Sequence, residues 1–306
     1  MFDAHSPEAR AISSLFVQTL VVCGLIGALV TALVGYCMVR FRQGQGPDEP
    51  VQTEGNTRLE VAWTLAPLLT VVGLMGLTVH AIGASDPPAP DRAPDIVVIG
   101  HQWWWEARYA GGAVAANEIH IPVGKDLYVQ VESADVIHDF WVPQLARKID
   151  AIPGHPVHVW MQADAQGSYP GACAEYCGAE HAWMRISVVA EPEADFKAWT
   201  RHQLEPAPEP RATAAEARGL KVYRAKPCAK CHAIAGERAE QPSIGPDLTH
   251  LATRTTLGAG VIGNSQADLT HWLLDPQGVK PSSHMPDMQL TNAEVDDLVA
   301  YFETLR

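Results

Sequence analysis

Two cysteines, two histidines and a methionine of this chain could meet at one point. Cys173, Cys177, His181 and Met184 lie in a single short run, GACAEYCGAEHAWM, and His138 stands upstream in DVIHDFW. Two thiolates, two imidazoles and a thioether form a soft donor set that suits copper. A mononuclear blue-copper site uses one thiolate, two imidazoles and a weak axial sulfur, so a second cysteine four residues on points to two copper ions sharing bridging thiolates. Such a pair spreads one unpaired electron over two metals, so little has to move when an electron is gained or lost. The chemistry implied is electron transfer. The rival is a closed tetrahedral Cys2His2 zinc site. Zinc leaves Met184 without a use, and it leaves the run Trp103-Trp104-Trp105 with no purpose beyond filling a core.

A second cluster, CAKCH at Cys228 to His232, is the signature of covalent c-type haem attachment. The two thiols bond the haem and His232 becomes the proximal iron ligand. A CxxC pair also serves redox or zinc chemistry, but a helical texture, SIGPDL at 243–248 and downstream methionines favour haem. Met285 and Met288, in KPSSHMPDMQLT, are candidates for the sixth ligand, with His284 as runner-up. Met285 is preferred because Met-Pro before the last helix suits a loop that projects its side chain inward; Met288 is then a core residue. Thioether ligation opposite histidine raises the potential, as suits an electron acceptor.

The elements that must carry these sites differ along the chain. Leu15 to Val39 is apolar without interruption and Val61 to Ile82 nearly so, apart from Pro67 and His80. Each has the roughly 20 residues that cross a bilayer. Arg40, Arg42 and Arg58 fall between them against only Arg10 before, which puts the connecting loop in the cytoplasm and both ends outside. Asp48, Glu49 and Glu54 share that loop but count little in the rule. A cleaved signal peptide is the rival for the first span; its apolar core is too long, and no A-x-A precedes Arg40. Leu20-Val21-Val22-Cys23 only loosely resembles a lipoprotein box. Cys23 and Cys37 read as small residues of a lipid-facing helix, and the six cysteines show no disulfide framework.

SDPPAPDRAP at 85–94 is a proline linker. From Asp95, DIVVIG, NEIHIPV, DLYVQVES, HVWMQA and RISVVA read as strands of a small antiparallel sandwich or barrel, with the copper loop between two strands. Gly171 and Gly178 are expected to let that loop curl round a metal. Residues 193–213, with EPAPEPRATAAEA, read as a semi-rigid linker. Helices follow, with Ser265 as a cap and Thr291 with Glu294 as a capping box. The domains expected are therefore a transmembrane hairpin over 1–94, a β domain over 95–192, the linker, and a helical haem domain over 214–306. Of the net charge of -13, seven units lie in 95–192. That disfavours nucleic acid and favours a basic protein partner, though acidity also simply solubilises a surface.

HQWWW, DVIHDFWVP, KIDAIPG and CAEYCGAEHAWM resemble subunit II of the haem-copper cytochrome c oxidases, as does LEVAWTLAP at the second span. The CAKCH domain is similar to the one fused in caa3-type enzymes. The resemblance implies an all-β Greek-key cupredoxin domain and an all-α class I cytochrome c domain behind the hairpin. It implies a binuclear CuA centre on His138, Cys173, Cys177, His181, Met184 and the carbonyl of Glu175. It further implies that the Glu175 side chain shares a magnesium ion with subunit I, that Glu60 lies near the mouth of a proton pathway, and that electrons reach CuA through Trp103. Glu60 also reads as an ordinary interfacial carboxylate. Trp104 stands where the family often has Tyr, and Asp139 follows the ligand histidine where small or neutral residues are common.

The function implied is electron input to a proton-pumping terminal oxidase: from cytochrome c or a similar donor to haem c, then CuA, then subunit I, where oxygen is reduced. Its partners are subunit I, further oxidase subunits, the donor and membrane lipid. Its place is the bacterial inner membrane, with both soluble domains periplasmic. The alternatives are the same module in a nitric oxide reductase and a membrane-anchored copper-delivery protein. A quinol oxidase subunit should lack these ligands.

Overall fold

A computed structural model describes residues 3–42, 52, 54–211, 214–235 and 244–306. Asp48, Glu49 and Ser243, which enter the expectations above, lie outside them. The chain begins with two long helices, α1 (Pro7–Arg40) and α2 (Thr57–Ser85), packed against each other. Ser6 caps α1 by accepting from Ala9 N, with Pro7 at the first helical position, and Asn56 caps α2 by accepting from Leu59 N. At 34 and 29 residues both exceed the thickness of a bilayer core. Their Leu, Val and Met side chains face outward, as in Leu25, Leu29, Leu69 and Met75, which is the pattern of helices solvated by lipid.

Both outer ends of the hairpin are tied to the β domain. His5 N donates to Gln144 O at 2.8 Å, Asp164 N donates to His5 O at 2.8 Å, and Arg10 pairs with Asp164. After α2, Asp86 pairs with Arg147 at 2.7 Å and Trp160 Nε1 donates to Pro87 O at 3.1 Å. The start of α1 and the end of α2 therefore lie on the β-domain side, and the end of α1 and the start of α2 lie away from it.

The β domain stacks two five-stranded sheets. Its strands are β1 (Ile96–His101), β2 (Trp104–Tyr109), β3 (Val114–Ala116), β4 (Glu118–Pro122), β5 (Leu127–Ser133), β6 (His138–Trp141), β7 (Ile149–Ala151), β8 (Val157–Met161), β9 (Gly167–Cys173) and β10 (Arg185–Glu191). One sheet runs β3-β2-β1-β5-β8 and the other β4-β10-β9-β6-β7. Pairing is antiparallel except β1 with β5 and β4 with β10. Burial alternates along β5 and β10, one face in and one out. Trp105 and Phe140 are fully buried between the sheets in edge-on contact, 5.5 Å apart. Side chains of that size contribute about 1.5–3 kcal/mol each by leaving water.

The expected linker starts later than its composition suggests. Residues Glu193–His202 form α3, whose Phe196 and Trp199 pack on the β domain beside Tyr109 and His120. An apolar pair three apart on an otherwise charged helix is enough to dock it.

The haem domain consists of α4 (Ala215–Ala225), a two-residue strand pair β11 (Thr256–Leu257) and β12 (Ile262–Gly263), α5 (Gln266–Leu274), the short α6 (Pro276–Val279) and α7 (Asn292–Phe302). α4 and α7 cross closely at Gly219, where a Cβ would stand 2.0 Å from the carbonyl oxygen of Asp297. Tyr223, Tyr301 and Phe302 fill the space beside that crossing. Ser265 with Asp268 and Thr291 with Glu294 form full capping boxes at the starts of α5 and α7.

Candidate metal and haem sites

The copper loop is built by strand pairing. β6 delivers His138, and its neighbour β9 ends on Cys173, with Phe140 opposite Cys173 in the ladder. The chain then turns through Cys177 into a 3-10 turn, His181–Trp183, and re-enters the sheet after Met184. Cys173 Sγ lies 3.7 Å from Cys177 Sγ, 4.0 Å from His138 Nδ1 and 3.2 Å from Glu175 O. Cys177 Sγ lies 3.8 Å from His181 Nδ1 and 3.9 Å from Met184 Sδ. His138, Cys173, Cys177 and Met184 are buried. Metal–sulfur bonds of about 2.3 Å let two sulfurs that share a metal stand up to about 4.6 Å apart, so the thiols suit bridging. The donors outnumber the four of a closed zinc site, and the buried thioether is the one zinc would leave idle. The donor set fits a copper pair.

The surroundings aim these donors. Asp135 Oδ1 meets His138 Nε2 at 2.8 Å, which leaves Nδ1 turned toward Cys173. Asp135 also accepts from Gln102 N at 2.6 Å. Burial works against the charged imidazole, yet Asp135 and Cys173 hold His138 above its ordinary value. The thiols titrate as a pair. Cys173 is pulled well down by a hydrogen bond from Cys177, and Cys177 is pushed up by the same contact and by burial. At Gly100, a Cβ would come 2.8 Å from the His138 ring.

Of the two loop glycines, Gly178 agrees with the expectation and Gly171 does not. Gly171 sits inside β9, where a Cβ would stand 2.5 Å from Trp141 O, so it permits close strand packing rather than curling. Gly178 has φ +122, and a Cβ there would press on the Trp103 ring at 2.9 Å. Trp103 Nε1 and Gln102 Nε2 both donate to Cys177 O, at 3.0 and 2.8 Å, and bind the tryptophan corner to the copper loop.

The haem residues surround a cavity instead. Among the described residues its walls include Cys228, Cys231, His232, Met285, Met288 and Leu251. His232 Nδ1 meets Pro246 O at 2.8 Å, which reserves Nε2 for a metal, and burial lowers its proton affinity. Gly245 is required there, since a Cβ would stand 2.6 Å from the His232 ring. An apolar cavity edged by two thiols, an imidazole and a thioether fits a c-type haem. Both methionines reach it, and Met285 also packs on the domain core.

The β domain supplies part of the cavity wall. Trp103 and Trp104 complete its lining. Trp104 Nε1 donates to Ile244 O at 3.2 Å, and the Trp103 and His284 rings are 4.7 Å apart. Lys280 Nζ donates to Trp103 O at 3.0 Å and pairs with Glu180 at 3.4 Å, both side chains buried. Burial lowers the pKa of Lys280 and raises that of Glu180. The tryptophan run therefore has three separate duties, with Trp105 in the core, Trp104 against the haem domain and Trp103 on the copper loop. Glu60 lies apart, exposed in the first turn of α2, where its carboxylate accepts from Asn56 N at 3.3 Å. The side chain of Glu175 is exposed. Sequence reasoning missed Asp135, although an acid three residues before a ligand histidine is a readable signal, and it missed Lys280 and Glu180, whose meeting depends on the docking of two domains.

Three family descriptions match consecutive stretches of the chain: "Cytochrome C oxidase subunit II, transmembrane domain" over residues 1–79, "Cytochrome C oxidase subunit II, periplasmic domain" over 112–191, and "Cytochrome c" over 216–306. Proteins named cytochrome c oxidase subunit 2 are similar over most of its length. The one from Alkalihalophilus pseudofirmus is 33% identical, covering 99% of this chain and 90% of its own. Those from Bacillus sp. (strain PS3) and Bacillus subtilis are 30% and 28% identical, covering 87% and 89% of this chain and 80% and 82% of their own.

Proposed function

Since the chain belongs to the cytochrome c oxidase subunit II family and carries a cytochrome c domain behind the family's own two parts, we propose which of its residues make it the electron-input subunit of that oxidase. It is a membrane-anchored subunit with periplasmic domains that associates with other oxidase subunits, and it passes electrons toward them. The nitric oxide reductase alternative is not favoured by these relatives.

His138, Cys173, Cys177, His181, Met184 and the Glu175 carbonyl hold two copper ions, and Cys228, Cys231, His232 and Met285 hold one haem. When bound, these groups supply one-electron carriers with little change of shape on reduction. The residues round them do the positioning. Asp135 orients His138, Pro246 O orients His232, and Trp103 and Trp104 fill the gap between the two sites. Trp103 thus faces the chain's own haem domain. The exposed carboxylate of Glu175 is free to share a magnesium ion with subunit I. Glu60, on the far end of the hairpin, lies near the mouth of a proton pathway. The external donor is a c-type cytochrome or a similar redox protein, and oxygen is reduced on subunit I. Lipid surrounds α1 and α2 in a bacterial inner membrane, with both soluble domains outside.

The observation that carries this reading is the convergence of five side-chain donors, His138 from β6 and four from the loop after β9, beside a cavity lined by Cys228, Cys231, His232, Met285 and Trp103. The full chain assembled with its oxidase should contain two coppers and one low-spin c-type haem per copy, with an electron paramagnetic resonance signal shared by both coppers. Zinc, or a single blue copper, would overturn the copper assignment. A haem whose spectrum is unchanged by Met285→Leu would overturn that axial ligand.

A further inference from the structure

The haem domain meets the β domain at several points, but one contact stands apart chemically. Glu118, at the start of β4, is buried although it is a carboxylate far from both candidate sites in sequence. Among the described residues, the hydrogen bonds to its carboxylate come from the haem domain. Its Oε1 accepts from Thr255 N at 2.9 Å, Thr255 Oγ1 at 2.7 Å, Thr256 N at 3.0 Å and Thr256 Oγ1 at 3.2 Å. Thr255 N also reaches Oε2 at 3.2 Å. The two threonines open the β11–β12 turn, whose tip touches the β domain again, with Arg185 N donating to Ala259 O at 3.2 Å. Trp104, Ala116 and Ala259 bury one another in the angle between the domains.

A buried carboxylate without partners costs several kcal/mol, and one that accepts several N–H and O–H donors is strongly held. Glu118 therefore has little reason to be acidic unless the haem domain sits where it does. Arg254, which precedes the two threonines, lines the haem cavity, so the contact fixes the wall of the cavity as well as the turn. We propose that Glu118 is a positioning residue for electron transfer: it locks the haem domain on the copper domain with Trp103 and Trp104 in the cavity wall. This rests on the electron-input reading above. In the locked state an electron would pass from a haem held by His232 to copper held by the loop after β9 without a search by the tethered domain. The external donor replaces that electron at the haem.

The test uses the complete oxidase with Glu118→Ala, Glu118→Gln and, from the other side, Thr255→Val with Thr256→Val. After flash reduction of the haem, the appearance of the electron at the copper pair is timed, with the copper resonance and haem spectra as controls. Glu118→Ala should slow transfer about tenfold, because charge-assisted hydrogen bonds of this kind each contribute about a factor of ten or more. Glu118→Gln, which keeps an acceptor oxygen, should recover part of the rate. The threonine changes should add little to Glu118→Ala, since both remove one contact. Transfer in Glu118→Ala should become sensitive to solvent viscosity while the wild type stays insensitive, a response that a general loss of stability would not produce. A rate within about twofold of wild type, with both spectra intact, overturns the role of Glu118. Absence of the shared copper signal or of the haem from the wild-type chain would instead overturn the functional reading on which it stands.

Discussion

In the copper loop, each thiol already lies within 4.0 Å of its neighbouring donors. In the haem domain, the ligating residues stand apart on the walls of a largely apolar cavity. The contrast follows from what holds each site. Strand ladders fix β6 against β9 and β9 against β10, so the backbone sets where His138, Cys173 and Met184 fall before any metal arrives. The short helices of the haem domain touch chiefly at the α4–α7 crossing. Between Cys228 and Met285 the centre of the domain is the cofactor's own space. One site is built to receive its group, and the other is completed by it.

The change expected to have the largest effect removes that completion. Cys228→Ala with Cys231→Ala leaves no covalent hold on the haem, and a domain without the group that binds its folded state should open more readily. Limited proteolysis should cut within 214–306 while the copper resonance persists. If the helices survived protease treatment without haem, the two regions would be preorganised alike and the contrast would be lost.

The converse change is expected to be more local. Cys177→Ser should abolish the resonance shared by two coppers, because a hydroxyl does not replace a bridging thiolate. Haem reduction by the donor should continue, and the β domain should remain folded, since serine is nearly the size of cysteine and Trp105, Phe140 and the paired strands keep their places in the core. Loss of haem reduction along with the copper signal would contradict an order in which the haem is reduced first. A smaller effect is expected from Asp135→Asn, which keeps the shape but weakens the hold on His138. Loss of such an orienting group typically costs 10–100-fold in metal affinity, measurable by competition with a copper chelator. A loss near that of Cys177→Ser would mean that the loop depends on this one carboxylate for its shape.

How much of this was legible in the sequence depended on how local the cause was. The spans, the strands with period-two burial and both capping features rest on neighbouring residues, and they emerge from spacing alone. β2 hides in the tryptophan run because its burial does not alternate: Trp104 is covered by the other domain and Trp105 by the sandwich. α3 hides in a stretch read as linker, because its helix is held by two aromatic side chains against a surface the sequence does not display. Gly171 looked like a hinge, yet it is a packing glycine whose constraint comes from Trp141 on the adjacent strand. Glu118 and Lys280 carried no local signal, because each is explained by residues more than 90 positions away.

The smallest expected effect concerns the strand between the two sites. Glu106 on β2 is buried, with His101 Nε2 at 3.0 Å and Arg108 Nε at 2.7 Å, and His101 stacks on Trp104. Burial pushes its pKa up, but the hydrogen bonds from His101 and Arg108 outweigh it and hold the carboxyl below its ordinary 4.5. A carboxyl whose pKa is lower in the folded state stabilises above its unfolded value, and that contribution fades as pH falls through the folded one. Glu106→Gln should therefore cost about 1–2 kcal/mol at neutral pH. The gap from wild type should begin to close below about pH 4.5, as the wild-type carboxyl takes up its proton. Denaturant unfolding followed through the copper chromophore at several pH values would measure it. The change should appear in the β-domain transition and leave the haem-domain transition in place, because both charge partners of Glu106 lie on β1 and β2. A shift of the haem-domain transition by the same amount would show that Trp104 couples the two regions into one cooperative unit, and the difference between a site built in advance and a site completed by its cofactor would then stop at the cofactor itself.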